Sequence, residues 1–480
     1  MKKEELFYAL GDIDPGIVKE AKDYKKHGNM RWTRYIAAVA CAAILFGALV
    51  NIPTLRKDRV EDVPNPAVSE VISVKAQYPK ITEREAGFED VEYNGPMEWM
   101  RPLERNNDTA SANKSTVEGG YTALMKELLA SGDENTVCSP LNIYIALSML
   151  SEITDGNTRA QILAALKAND IESLRKNVSA LWQSNYANDP SFTCLLANSL
   201  WLNSDVKYNE KTLKRLAGDY FISSFAGTPG SEDFDKALRE WTDENTGGLL
   251  SEYTKNMSIK PGTVLELLST IYYKAQWVHD FSPDLTKKES FHGVSGDSSV
   301  EMMHKTEVTN IYKAKNFSSV GLSLYESGSM YFFLPNEGRD VNALLSDPEV
   351  MKAIRFDEAD KNNIRAEVAM SVPKFKVSSK SDLMDSLKAL GIRDALNPSL
   401  ADFTPLTTEK KGLYLSKADH AALLEIDEKG VTGAAYTELA ITEGAPVSDR
   451  KESFVLDRPF MFMVTGRDGS VLFSGIVRKI

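Results

Sequence analysis

Residues 35–55 carry no charge, and residues 36–50 are almost wholly apolar. About 20 residues at ~1.5 Å each cross a ~30 Å hydrocarbon layer, so this stretch predicts one transmembrane helix. Six basic residues lie before it in 15–34 (Lys19, Lys22, Lys25, Lys26, Arg31, Arg34), against three after it in 51–70 (Arg56, Lys57, Arg59). That excess places residues 1–34 in the cytoplasm and the bulk of the chain outside, as a single-pass cell-membrane protein. No small-x-small site ends the apolar run, and little apolar sequence precedes Cys41. An uncleaved anchor is therefore expected rather than a cleaved signal peptide or a lipid-modified cysteine. Residues 56–116 are acidic and punctuated by proline (Pro64, Pro66, Pro79, Pro96, Pro102), which predicts an extended extracellular tether.

From Val117 onward the pattern is that of one large folded body, 117–480. Residues 121–129 have helical spacing. Ser139 followed by Pro140 starts a helix whose apolar residues run almost all round, so it should be buried mid-domain. A turn at Asp155 caps a further helix reaching Leu166. Residues 234–253 read as a helix broken at Thr246-Gly247-Gly248. Residues 195–202 read as a buried strand, and residues 264–277 as a longer one with cover on both faces. Short strands dominate afterwards (300–303, 320–325, 330–334, 364–375), with helices at 340–345 and 383–390 and a closing hairpin at 466–469. Helices mostly first and strands mostly last define an α+β class.

One segment behaves differently. In residues 431–441 every second position is apolar or small: Val431, Gly433, Ala435, Thr437, Leu439, Ile441. Period-two alternation fits a strand with one buried face, yet glycine and small residues hold a strand weakly. Such a segment can fit into a sheet without being anchored there; the plainer alternative is a hairpin strand with a loose tip.

Composition narrows the chemistry. The net charge of −12 argues against nucleic acid as a partner. Three scattered cysteines (Cys41, Cys138, Cys194) make neither a disulfide framework nor a zinc site. Gly-x-Ser-x-Gly, phosphate-loop, His-Glu-x-x-His and Cys-x-x-Cys signatures are absent, and His279 and Asp280, as neighbours on a strand, face opposite ways. No catalytic residue, metal or cofactor is assigned.

Taken together, several motifs resemble the serpin family, the suicide inhibitors of serine and cysteine proteases. They are Ser139-Pro140-Leu141, Asn198-Ser-Leu-Trp201, Trp241 through Gly247, Ile271-Tyr-Tyr-Lys274 with Trp277, Val372-Pro-Lys-Phe375, Ala401-Asp-Phe403, His420, Glu428-Lys-Gly430 and the run 454–464. The resemblance, to a membrane-anchored bacterial member, implies three β-sheets, eight or nine helices and an exposed reactive-centre loop. It implies a monomer that is cut by an extracellular serine protease and traps it as an acyl-enzyme. About 14 residues of the severed loop, or ~45 Å of ladder, would insert into the central sheet. The loop hinge would be Glu428, Gly430, Val431, Thr432, Gly433, Ala434 and Ala435. This departs from the usual Gly-Thr-Glu-Ala-Ala-Ala without adding charge or bulk to the inward face. The gate under the sheet would be Ser139, Asn142, Ser269 and His420, with Trp277 at the top; relatives usually carry Ser where Asn142 stands and Asn where Ser269 stands. Family spacing places the reactive bond at Gly444-Ala445, suiting an elastase-like or subtilisin-like protease. Arg450-Lys451 is the alternative, for a trypsin-like one. A non-inhibitory serpin, acting as a binding or structural protein, is the second reading.

Overall fold

The structure is a computed structural model that describes residues 68, 71–78, 114–130, 132–188, 192–249, 251–325, 327–355, 357, 359–409, 412–431 and 448–480. The expected cytoplasmic tail and membrane helix, most of the tether, and residues 432–447 of the loop lie outside the described residues. No helix among the described residues is long and apolar enough to cross a membrane.

Strand β1 (Ile72–Val74) comes first. It is followed by α1 (Lys114–Leu129), β2 (Thr136–Cys138), α2 (Pro140–Glu152), α3 (Gly156–Ala165), α4 (Ile171–Asn185), β3 (Ala187–Asn188) and β4 (Phe192–Asn203). Next are α5 (Glu210–Asp219), β5 (Ile222–Gly227), α6 (Glu232–Glu244), α7 (Ser251–Thr254), β6 (Leu265–Gln276), β7 (Lys287–Gly293) and β8 (Gly296–Lys313). The chain continues through β9 (Phe317–Ser323), β10 (Ser329–Pro335), α8 (Pro348–Ala353), β11 (Asn363–Pro373), β12 (Phe375–Asp382) and α9 (Met384–Ala389). It closes with β13 (Asp419–Ile426), β14 (Gly430–Val431), β15 (Lys451–Val455), β16 (Phe460–Thr465) and β17 (Val471–Val477).

The described strands form two hydrogen-bonded sheets rather than the three expected. One runs β1-β5-β4-β6-β14-β13-β12, with β3 beside β4; the other runs β15-β11-β8-β9-β10-β16-β17-β2, with β7 beside β8. The difference has a simple cause. Strand β8 is 18 residues long and unbroken, so its first part, paired with β7, and its last residues Ile311 to Lys313, paired with β9, belong to one sheet.

Helix α2 fits its all-round apolar pattern: every residue except Ala146 is buried, and the Ser139 hydroxyl caps it by accepting from the Asn142 N–H at 3.2 Å. It lies against β6 and β17, between the two sheets. On the opposite face of the first sheet, α6 covers a smaller apolar cluster of Trp201, Phe225, Phe234 and Trp241. The free thiols of Cys138 and Cys194 are buried in the main core.

Part of the segment expected to be tether is docked on the body instead. Strand β1 pairs antiparallel with β5 at the sheet edge, and Val68 is buried in the cluster under α6. The Gln77 N–H donates to Ala217 O at 2.9 Å, and the Tyr78 ring stacks on Trp182 at 5.4 Å. Ile72, Val74, Ala76 and Tyr78 do alternate with Ser73, Lys75 and Gln77, a short period-two signal that the surrounding prolines and acids of 56–116 obscured. The sheet edge that β1 covers supplies the partner.

Candidate functional site: the seam of the large sheet

The hinge enters the sheet at its upper end. Asp427 Oδ1 accepts from the N–H groups of Lys429 (2.8 Å) and Gly430 (3.2 Å), forming a tight turn, and β14 then runs back antiparallel to both neighbours. Gly430 pairs with Gln276 and Val431 with Ala275 on β6, while Val431 also pairs with Ile426 on β13. A Cβ at 430 would collide with the Ala275 carbonyl, so glycine is required by close approach. Among the described residues, β14 alone joins β6 to β13 by backbone pairing, and below it the seam has no rung.

The turn is fastened from outside. The Trp277 indole N–H donates to Asp427 O at 2.9 Å, and the backbone N–H groups of Trp277 and Phe281 donate to Lys429 O and Glu428 O, each at 3.0 Å. Trp277 is thus buried against the hinge. Glu428 accepts from the Thr286 hydroxyl at 2.8 Å and pairs with the Lys374 ammonium at 3.2 Å. Burial opposes its charge, yet these bonds and its own backbone N–H hold the carboxyl below its ordinary value.

Below the hinge, the first turn of α2 touches both strands that border the seam. The Ser139 N–H donates to His420 Nε2 on β13 at 3.0 Å. Asn142 meets the Ser269 hydroxyl on β6, and Ser269 also lies 2.6 Å from Asn198 Oδ1 on β4. A hydroxyl has one proton, so Ser269 donates to one amide and accepts from the NH2 of the other. His420 accepts at Nε2 and is therefore neutral with its proton on Nδ1. Burial pushes its pKa down to about 4, and the positive end of α2 beside it acts in the same sense. Drawing β6 away from β13 must break one of these links. The gate residues named from sequence are brought together; Asn198 was not among them. Its signals were an amide inside the apolar run 195–202 and its place at the head of the Asn198-Ser-Leu-Trp201 motif.

Gly444 and Ala445, like hinge residues Thr432, Gly433, Ala434 and Ala435, lie outside the described residues. The Arg450–Lys451 bond stands at the entry to β15, where Arg450 O accepts from the Glu367 N–H at 2.8 Å and Lys451 pairs with Glu367 in the ladder.

A seam that β14 alone bridges among the described residues, a hinge seated at its top and a polar gate beneath fit the architecture of a serpin. The family model for serpins (serine protease inhibitor) matches residues 121–480, and the chain belongs to this family. An uncharacterized serpin-like protein of Methanosarcina acetivorans is 28% identical over 380 residues, covering 76% of this chain and 86% of its own. Human neuroserpin is 28% identical over 378 residues, covering 74% and 88%. Among solved structures, the thermophilic serpin tengpin in its native state superposes with a TM-score of 0.67 at 25% identity, covering 81% of this chain and 96% of its own. Human thyroxine-binding globulin, solved as a complex, gives 0.65 at 27% identity, covering 78% and 99%. Members are typically protease inhibitors that act as suicide substrates rather than enzymes, and some are non-inhibitory.

Proposed function

We propose that this chain is a membrane-tethered, extracellular inhibitor that traps a serine protease by inserting its severed loop into the seam between β6 and β13. One observation carries the reading. The loop's first two residues are already seated there, antiparallel to both neighbours, and among the described residues no other strand joins β6 to β13. Continued one residue at a time, this register runs Val431 to Ile441 down β6 from Ala275 to Leu265, the full remaining strand. The odd positions then share a face with Tyr273 and Ser269 on β6 and with Leu424, Ala422 and His420 on β13. This is the core side, matching the apolar and small set Val431, Gly433, Ala435, Thr437, Leu439, Ile441. Thr437 falls level with both Ser269 and His420, so a hydroxyl would arrive where the gate has polar partners.

The chemistry belongs to the protease. Its serine Oγ attacks a loop carbonyl carbon, and the peptide C–N bond breaks as the leaving amine takes a proton from the protease's histidine, leaving an ester. Insertion gains main-chain hydrogen bonds at ~1 kcal/mol each and drags the esterified protease along, distorting its oxyanion hole so that deacylation stalls. Cleavage at Gly444–Ala445 by an elastase-like or subtilisin-like protease is favoured. The alternative Arg450 carbonyl is already engaged in the β11–β15 ladder. The apolar run 35–55 and its flanking charges support the tether.

Incubation with an elastase-like and a trypsin-like protease tests this. A denaturant-resistant adduct is expected with the former, and the mass of the released fragment locates the bond. Complete cleavage with no adduct would overturn inhibition and favour a non-inhibitory serpin.

A further inference from the structure

The seam is bridged a second time, at its lower end and by side chains. Lys417, two residues ahead of β13, is held on its own side by Asp419 at 3.1 Å and reaches Glu266 on β6 at 3.6 Å. Glu266 stands opposite Trp201 in the β4–β6 ladder, so it lies on the face covered by α6. Its side chain is only 16% exposed, and burial raises its pKa, with Lys417 acting in the opposite sense. Continuing the two registers of β14 downward, a single loop position, Ala440, falls opposite both Glu266 and Lys417. The pair therefore crosses the seam at a level the inserting strand must occupy. One added strand widens the gap by ~4.8 Å, which carries a 3.6 Å contact out of reach.

From this geometry we infer that Glu266 and Lys417 form a latch that holds the uncut sheet closed at its lower end and slows strand entry. The inference rests on the insertion reading above. Both residues are positioning residues; neither touches the protease.

The test uses the full chain with Glu266→Gln, Lys417→Gln, both together, and the conservative Lys417→Arg. Two quantities are read for each: the half-life of the trapping-competent uncut form at raised temperature, and the melting midpoints of the uncut and loop-nicked forms. Each neutralised single variant should shorten the half-life about two- to fivefold, as for a partly exposed ion pair. The double variant should lose no more than either single, and Lys417→Arg should retain the half-life. Midpoints should fall in the uncut form and stay unchanged in the nicked form, where the pair has already parted. Equal losses in both forms, or additive singles, would overturn the latch. The insertion reading is separable: if nicking fails to raise the wild-type midpoint, that reading falls and takes the latch with it. If the wild type rises and the variants behave as wild type, only the latch falls.

Discussion

Acidification should open the gate through His420. Its imidazole is buried and neutral, with Nε2 accepting the Ser139 N–H at the start of α2. A proton on Nε2 removes that acceptor and places a cation at the positive end of a helix. The folded pKa of about 4 lies below the ordinary 6.5, so the unfolded chain binds the proton first. Stability is therefore whole above pH 6.5, falls as pH drops through it, and stops falling below about 4. Linkage over that shift gives a loss of about 0.8 kcal/mol at pH 6 and about 2.5 kcal/mol at pH 4.5. Denaturant midpoints of the uncut chain between pH 7.5 and 4.5 would measure it, with His420→Gln as the control because a carboxamide oxygen can accept the same N–H without titrating. Carboxyls held below their ordinary values, such as Asp402 with its backbone bond from Thr404, titrate in both proteins and cancel. The wild-type curve should drop away from the variant's by these amounts. Parallel curves from pH 7 to 5 would refute the buried neutral imidazole and its role in holding the seam.

Three further outcomes are expected. Gly430→Ala should expel β14 from the sheet, because its Cβ meets the Ala275 carbonyl; against an elastase-like protease, adduct yield should fall while cleavage persists. Gly433→Glu puts a charge on the inward face and should leave the cutting rate intact while abolishing the adduct on a denaturing gel. At the gate, Asn142→Ser and Ser269→Asn should each cost about 1–3 kcal/mol in denaturant unfolding. The double exchange should recover most of it, since the pair again holds one amide and one hydroxyl.

Local sequence patterns placed several elements. Ser139-Pro140 marked the start of α2, the apolar run 264–277 marked β6, and the break at Thr246–Gly248 marked the end of α6. These depend on capping, backbone freedom and periodicity, which act over one or two turns of chain. Period-two spacing likewise identified the face that 431–441 would bury. It left open whether such a segment was an ordinary hairpin strand, because alternation is the same in both cases.

Tertiary structure decided the rest. That β14 alone joins β6 to β13 among the described residues, that α2 grips both through His420 and Asn142, and that Lys417 reaches Glu266 are long-range facts, with chain separations of 71 to 281 residues for the gate contacts. Short-range propensity carries no information over such distances. The alternation over 72–78 permits a strand, but only the free edge of β5 decides that it docks on the body. The sequence by itself determined which segments can form a strand or helix and which face each would bury. Only the assembled sheets decided which strands stand side by side, because neighbourhood is a property of the whole arrangement and of no single stretch.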